Sequence, residues 1–177
     1  MIAEERRRQI IHKITNSGGP ISASVLAGEF DVSRQVIVGD IALLRASGHE
    51  IIATARGYIN HKNYNSEPSN IKFLGKIACR HSPDDTVNEL YTITDLQASV
   101  IDVIVEHELY GEITGSLNLS SRVDVDAFIE KLRKNEVRLL SELMTDGAHL
   151  HTIACKDKGH FEQVRNALDE KGFLYRG

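Results

Sequence analysis

The sequence predicts an α+β chain in two parts: a small helical domain closed by a β-hairpin, and a larger domain in which helices pack on a sheet. Three observations predict it. Three short segments with helix-spaced apolar residues precede a β-prone hairpin pattern, and a polar, aperiodic stretch containing Pro68 follows. The remainder then alternates strand and helix signals in the order β-α-β-β-α-β-α. A length of 177 residues suits one large or two small domains, on a prior of ~100–200 residues each.

In the first part, Ile10 and Ile14 form an apolar i, i+4 pair. Their segment opens with Glu4-Glu5 and ends near Asn16-Ser17-Gly18-Gly19-Pro20, a helix with a stop signal. A second helix starts near Ser22, its cap, with Val25, Leu26 and Phe30 as the expected inward face. Asp31-Val32 makes a short turn. Ser33 caps a third helix that runs to about Ser47 and stops at Gly48, with Ile37, Ile41 and Leu44 on one stripe. Three helices with a tight turn between the last two describe a helix-turn-helix, and the hairpin pattern Ile51–Ile59 makes the unit a winged helix.

Ser33-Arg34-Gln35-Val36-Ile37 and Asp40-Ile41-Ala42-Leu43-Leu44-Arg45 resemble the recognition helix of the biotin-repressor and DeoR-like winged-helix families. The resemblance implies double-stranded operator DNA as a partner. Ser33, Arg34, Gln35 and Val36 then sit at the helix start where base edges are read: Arg34 suits guanine, Gln35 adenine and Val36 a thymine methyl. Arg56 in the wing and Lys62 beyond it are candidate phosphate contacts. Outside this pattern an Arg-Gln pair reads as a solvated helix face, and Arg56 and Lys62 as inert surface charges. The sequence departs from many winged helices at Val38-Gly39. Gly39 costs ~1 kcal/mol of helix stability against Ala, a cost offset by close backbone approach either to DNA or to a neighbouring helix.

The polar stretch His61–Asn70 is the expected linker, giving domains at 1–62 and 72–177 with residues 63–71 between them. Lys72–Cys79 reads as a strand. Ser82-Pro83-Asp84-Asp85 is a helix start with a capping serine, proline at the first position and Asp85 placed for a capping box, and Val87, Leu90 and Tyr91 form the expected buried stripe. Val100–Val105 and the stretch after Gly111 are strands. Ser121-Arg122-Val123-Asp124 is a second capping-box start, leading into Val125, Phe128, Ile129 and Leu132. A strand then runs from His149 to Cys155, and a last helix from about Asp157 to Gly172 turns Phe161, Val164 and Leu168 inward.

Five of the eight histidines lie in this second domain. Residues two apart on a strand share a face, so His149 and His151 present two imidazoles on one side of the sheet. His81 stands at a strand-to-helix junction with Glu89 about two turns further on. Three imidazoles and a carboxylate suit zinc, nickel, cobalt or iron(II). On spacing alone, solvent-facing or hydrogen-bonded histidines and a helix-surface acid account for the same pattern.

Ile77-Ala78-Cys79-Arg80-His81, the run Asp102–Ile113 containing His107, and Asp146-Gly147-Ala148-His149-Leu150-His151-Thr152-Ile153 together resemble the three-histidine, or 3H, domain. Behind a biotin-repressor-type winged helix, that domain belongs to the niacin-responsive repressors of NAD biosynthesis and salvage. The resemblance covers essentially the whole chain. It implies a homodimeric DNA-binding repressor, nicotinic acid as co-repressor, and a transition-metal site at His81, Glu89, His149 and His151, with His107 lining the ligand pocket. Arg80, Arg122 or Tyr110 are further candidates to hold the ligand, although arginines at such positions are more often structural or exposed and a tyrosine there can simply pack on the sheet.

Other function classes fit less well. The net charge of −4 argues against a protein that coats nucleic acid indiscriminately. The charge is uneven, however, with 8 Lys/Arg against 6 Asp/Glu in residues 1–62 and 13 against 19 in the rest, so DNA contact belongs to the first part. There is no apolar run of membrane-spanning length and no secretory signal pattern, and Cys79 and Cys155 are too few for a disulfide scaffold, so a cytoplasmic protein is expected. A metal-dependent hydrolase is the enzymatic alternative, but His-Glu-x-x-His, a phosphate-binding glycine loop and a Gly-x-Ser-x-Gly elbow are all missing. A metal-sensing regulator, in which the ion itself is the signal, is the remaining one.

Overall fold

In a computed structural model describing residues 2–64 and 72–177, the chain divides into two compact units, Met1–Ser69 and Asn70–Gly177. The first has helices α1 (Ala3–Asn16), α2 (Ala23–Glu29) and α3 (Arg34–Ala46), followed by a hairpin of β1 (Ile51–Thr54) and β2 (Gly57–Asn60). Its core gathers Ile10, Ile14, Leu26, Ile37, Ile41, Leu44 and Ile51. The hydroxyls of Ser22 and Ser33 accept the amides of Val25 and Val36, as the capping pattern predicts.

Val25 departs from expectation and is exposed. The buried stripe of α2 is Ala23, Leu26, Ala27 and, just past the helix end, Phe30, which at 100° per residue puts position 25 on the opposite side. The expected linker also begins too early. His61–Tyr64 forms a short helix, α4, and the Asn63 amide donates to the carbonyls of Thr15 and Ser17 at 2.7 and 2.9 Å. The first unit therefore extends beyond residue 62, and residues 65–71 of the expected linker lie outside the described residues.

The second unit follows the predicted order: β3 (Phe73–Arg80), a 3-10 turn (Pro83–Asp85), α5 (Thr86–Asp95), β4 (Ser99–His107), β5 (Gly111–Leu119), α6 (Arg122–Asn135), β6 (Ala148–Cys155) and α7 (Lys158–Glu170). A second 3-10 turn, Leu140–Leu143, lies between α6 and β6. The sheet is antiparallel throughout, in the order β3-β6-β4-β5, so the last strand in sequence is inserted between the first two. Helices cover one face, where Phe161 of α7 packs on Phe73 with ring centroids 5.2 Å apart. Leu74, Lys76, Glu106, Glu112 and Thr114 are exposed.

Both helix starts read from sequence occur, one of them altered. The Ser121 hydroxyl accepts the Asp124 amide, and the Asp124 carboxylate accepts the Ser120 amide and hydroxyl. Ser82 makes no such cap. Its hydroxyl donates to the Asp85 carboxylate, and the chain enters α5 through the 3-10 turn. The buried stripe of α5 is Thr86, Glu89, Leu90 and Ile93, whereas Val87 and Tyr91 are only half-buried on its flank. The Tyr91 hydroxyl reaches outward to the Asp126 carboxylate. Among the described residues no helix is long and apolar enough to cross a membrane.

Candidate functional site

The inserted position of β6 assembles the histidine cluster. His149 stands opposite Cys79 of β3, and His151 is flanked by Ile77 of β3 and Val103 of β4, so both imidazoles leave the helix-covered face of the sheet. Glu89 projects from α5 onto that face and is 1% exposed. His81, just past the end of β3, completes the group. Its Nε2 lies 2.7 Å from Glu89 Oε2, with His149 Nε2 at 3.3 Å from Oε1 and His151 Nε2 at 3.4 Å from Oε2. The donor atoms of His81, Glu89 and His149 all lie within 4.8 Å of one another, and His151 joins them through Glu89.

The other ring nitrogen of each histidine is fixed by a backbone carbonyl. His81 Nδ1 meets Ser82 O at 2.8 Å, His149 Nδ1 meets Gly147 O at 2.8 Å and His151 Nδ1 meets Asp102 O at 2.7 Å. A carbonyl oxygen only accepts, so each Nδ1 carries a hydrogen and donates it. In a neutral ring the Nε2 is then a lone pair, and three lone pairs converge on a carboxylate that also only accepts. Such a buried cluster requires positive charge, either as protons on the imidazoles or as a metal ion.

The titration behaviour has the same origin. Burial opposes ionisation of Glu89, but the charge of His151 and the hydrogen bonds of His149, His151 and His81 hold its carboxyl well below the usual range. Burial likewise works against the charged forms of His81 and His151, and the hydrogen bond and charge of Glu89 outweigh it to leave both raised. For the Cys79 thiol, burial and then the Glu89 charge push the pKa up. With every Nε2 turned inward and every Nδ1 held by a carbonyl, the donor set fits a divalent transition-metal ion.

Beside the cluster lies a cavity of about 190 Å³. His81, Glu89, His149 and His151 line it together with an apolar wall that includes Leu90, Val103, Leu117, Phe128 and Leu132. The half-buried face of α6, expected to pack on the sheet, thus faces this space. Sequence reasoning missed Thr86, Ser116, Arg138 and Ser141, which also line it.

The four other ligand-binding candidates do not line this cavity. His107 and Tyr110 sit at the β4–β5 turn, where the His107 Nδ1 accepts the amides of Leu109 and Tyr110 and the two rings lie 5.0 Å apart. Arg122 makes a two-pronged ion pair with Asp95 at 2.6 and 2.7 Å and covers the Tyr91 ring. Arg80 lies over Tyr175 and lines two clefts outside the cavity, both of which His81 also lines.

In the first unit, Arg34, Gln35 and Val36 are exposed at the start of α3, Ser33 caps it, and Arg56 is exposed in the hairpin turn. Arg34 has no ion-pair partner among the described residues. The helix itself is held from behind. Asp40 is buried and accepts Arg6 Nε at 2.6 Å and Arg7 at 3.4 Å, while Arg45 Nε donates to the Ile51 carbonyl at 2.9 Å, tying α3 to the hairpin. At Gly39 an added Cβ would meet nothing within 4 Å, so of the two reasons weighed for this glycine, packing against a neighbouring helix of its own unit does not apply.

Comparison with known proteins agrees with this division. Residues 6–59 match an HTH domain and residues 75–177 a 3H domain. The chain is 37% identical to the transcription repressor NadR of Bacillus subtilis (strain 168), covering 99% of this chain and 96% of the relative. It is 38% identical to the probable transcription repressor NiaR of Thermotoga maritima, covering 98% and 95%.

Proposed function

The chain belongs to the 3H domain family, here joined to an HTH domain, and on that premise we propose that it is a DNA-binding transcription repressor of NAD biosynthesis and niacin salvage genes with nicotinic acid as co-repressor. It is a regulator and not an enzyme. In this reading it acts in the cytoplasm as a homodimer on a two-fold operator, because one recognition helix reads too few base pairs and symmetric repressors read two half-sites. Ser33, Arg34, Gln35 and Val36 face the bases, and Arg56 faces the phosphates.

The observation that carries the reading is the convergence of three Nε2 lone pairs and one carboxylate beside a largely apolar cavity of about 190 Å³. One nickel, zinc or iron ion per chain, held by His81, Glu89, His149 and His151, is the proposed occupant of the cluster. Bound there, it would act as a Lewis acid toward a ring nitrogen or carboxylate of the ligand. The protein supplies the rest: fixed tautomers, an apolar wall for a flat ring and polar groups at its margin.

Co-repression requires that ligand and DNA strengthen each other by the same factor, typically about 5–150-fold for coupled sites. Operator titration at fixed metal, with and without nicotinic acid, tests this. Tighter binding with the acid is expected. Equal affinity in both arms would remove nicotinic acid as co-repressor and favour a regulator that senses the metal itself.

A further inference from the structure

The face of the four-stranded sheet turned away from the histidine cluster carries opposite charges on its two sides. Helices α5, α6 and α7 pack on the other face, where Glu89 meets the histidines, Phe128 lines the cavity and Phe161 covers Gly75. Side chains alternate along a strand, so the free face takes Lys76 and Arg80 from β3, Leu150 from β6, Ile104 and Glu106 from β4, and Glu112 from β5. Leu150, half-buried, is paired with the buried Ile104 at its centre. Glu106 and Glu112 stand directly opposite each other, both exposed. Like charges at paired positions of a sheet are destabilising and call for a cation against them. Among the described residues no ion pair involves Glu106, Glu112 or Lys76, and Arg80 reaches Asp146 only at 3.9 Å. Two strands separate β3 from β5, a spacing of roughly 14 Å, so the cations of one chain do not neutralise its own Glu112.

We propose that this face is a homodimer interface, on which a second copy of the chain packs sheet against sheet about a two-fold axis running along the strands between β6 and β4. The proposal rests on the homodimeric reading above and gives it a surface. Sheets stack face to face at about 10 Å. Rotation about this axis lays β3 of one copy over β5 of the other, and β6 over β4. Lys76 and Arg80 then face the acidic pair Glu106 and Glu112 of the second copy, and Leu150 of each copy meets Ile104 of the other.

Charge selects this arrangement over the other two-fold one. An axis running across the strands would stack β3 on β3 and β5 on β5, setting cation against cation and carboxylate against carboxylate. Because one surface serves both copies, the same residues supply both halves of every contact. Leu150 lies between His149 and His151, so the histidine cluster and the interface share strand β6 from opposite faces.

The test is sedimentation equilibrium of the full-length protein without DNA, on the wild type, on Lys76→Glu/Arg80→Glu, on Glu106→Lys/Glu112→Lys, and on an equimolar mixture of the two variants. The wild type is expected to dimerise. Each variant alone sets like charges at every facing position, and its dimer should weaken by about 10–100-fold. The mixture restores opposite charges at all of them and should recover wild-type affinity, which also shows that both variants are folded. Lys76→Gln/Arg80→Gln, which removes the charge without reversing it, should weaken the dimer less and keeps the test open where a reversed variant does not fold. Wild-type dimerisation by either reversed variant alone overturns the interface, and so does a mixture of folded variants that fails to recover. In both cases a wild-type dimer leaves the homodimeric reading standing through another surface, whereas a wild type that is monomeric with and without operator DNA removes both.

Discussion

Asp102 sets the ring orientation of His151 with two different groups. Its backbone carbonyl accepts His151 Nδ1 at 2.7 Å, while its carboxylate accepts the Thr152 amide at 3.0 Å. The pairing register shifts between Val100 and Asp102, and at this irregularity the side chain takes over an amide of the neighbouring strand and leaves the carbonyl to the imidazole. Asp102→Ala should let the Thr152 amide recapture that carbonyl. We expect metal affinity to fall by about 10–100-fold, as for losses of groups that orient a ligand. Asp102→Asn, which keeps an acceptor oxygen, should be nearly silent. Competition against a chelator measures both, and equal loss in the two variants would show that charge, not geometry, is at work.

Gly147 links two ligands. Its carbonyl accepts His149 Nδ1, and its Cα faces the backbone of His81 so closely that an added Cβ would lie 2.5 Å from the His81 carbonyl oxygen. Its φ of +71° is one that side-chain-bearing residues rarely adopt. Gly147→Ala should therefore cost roughly 1–3 kcal/mol in backbone strain alone and displace His81 and His149 together. Thermal unfolding with and without metal checks this: both the melting temperature and its rise on metal addition should fall.

Much of this was legible in local pattern. Capping serines and apolar stripes gave α1, α3 and the entry to α6, and the two-residue period of a strand put His149 and His151 on one face. The remainder depends on groups far apart in sequence. Asp40 is on the buried side of α3 because Arg6, 34 residues earlier, meets it there. Nothing near Thr86 or Arg138 announces a cavity, because its walls come from α5, the sheet, α6 and the segment before β6. Conversely, Arg80, Arg122 and Tyr110 had suitable chemistry, but partners across the fold or exposure at a turn keep them from the cavity.

The raised pKa values of His81 and His151 and the lowered one of Glu89 give metal-free protein a definite pH response. The histidine contribution is complete below the unfolded value of 6.5 and is lost as pH rises through the raised folded values. That of Glu89 is present above 4.5 and is lost as pH falls through its lowered value. Cluster stabilisation in the absence of metal is therefore greatest between these two values. The melting-temperature difference between wild type and Glu89→Gln, both metal-free, should narrow as pH increases from 6.5. Metal binding requires neutral imidazoles and should strengthen over the same interval, with its midpoint displaced above 6.5 by the raised values. A constant difference between the two proteins would mean that the imidazoles carry no charge in the metal-free state.

On α3 the exposed surface runs the length of the helix, with Gln35, Val36, Val38, Gly39, Ala42 and Leu43 outward, Arg34 at the helix start and Arg45 and Ala46 at its end. Because an added Cβ at Gly39 meets nothing in its own unit, Gly39→Ala should stabilise the helix by ~1 kcal/mol. If operator DNA approaches the backbone there, the same methyl group should weaken operator binding. Stability and affinity would then move in opposite directions. Arg34→Ala should instead leave stability unchanged and relax operator specificity by about 1–3 kcal/mol, since its guanidinium has no intramolecular partner to lose among the described residues. Thermal unfolding paired with binding to operator and scrambled duplexes reads all four quantities. Unchanged operator affinity in both variants would move the reading surface away from this face of α3.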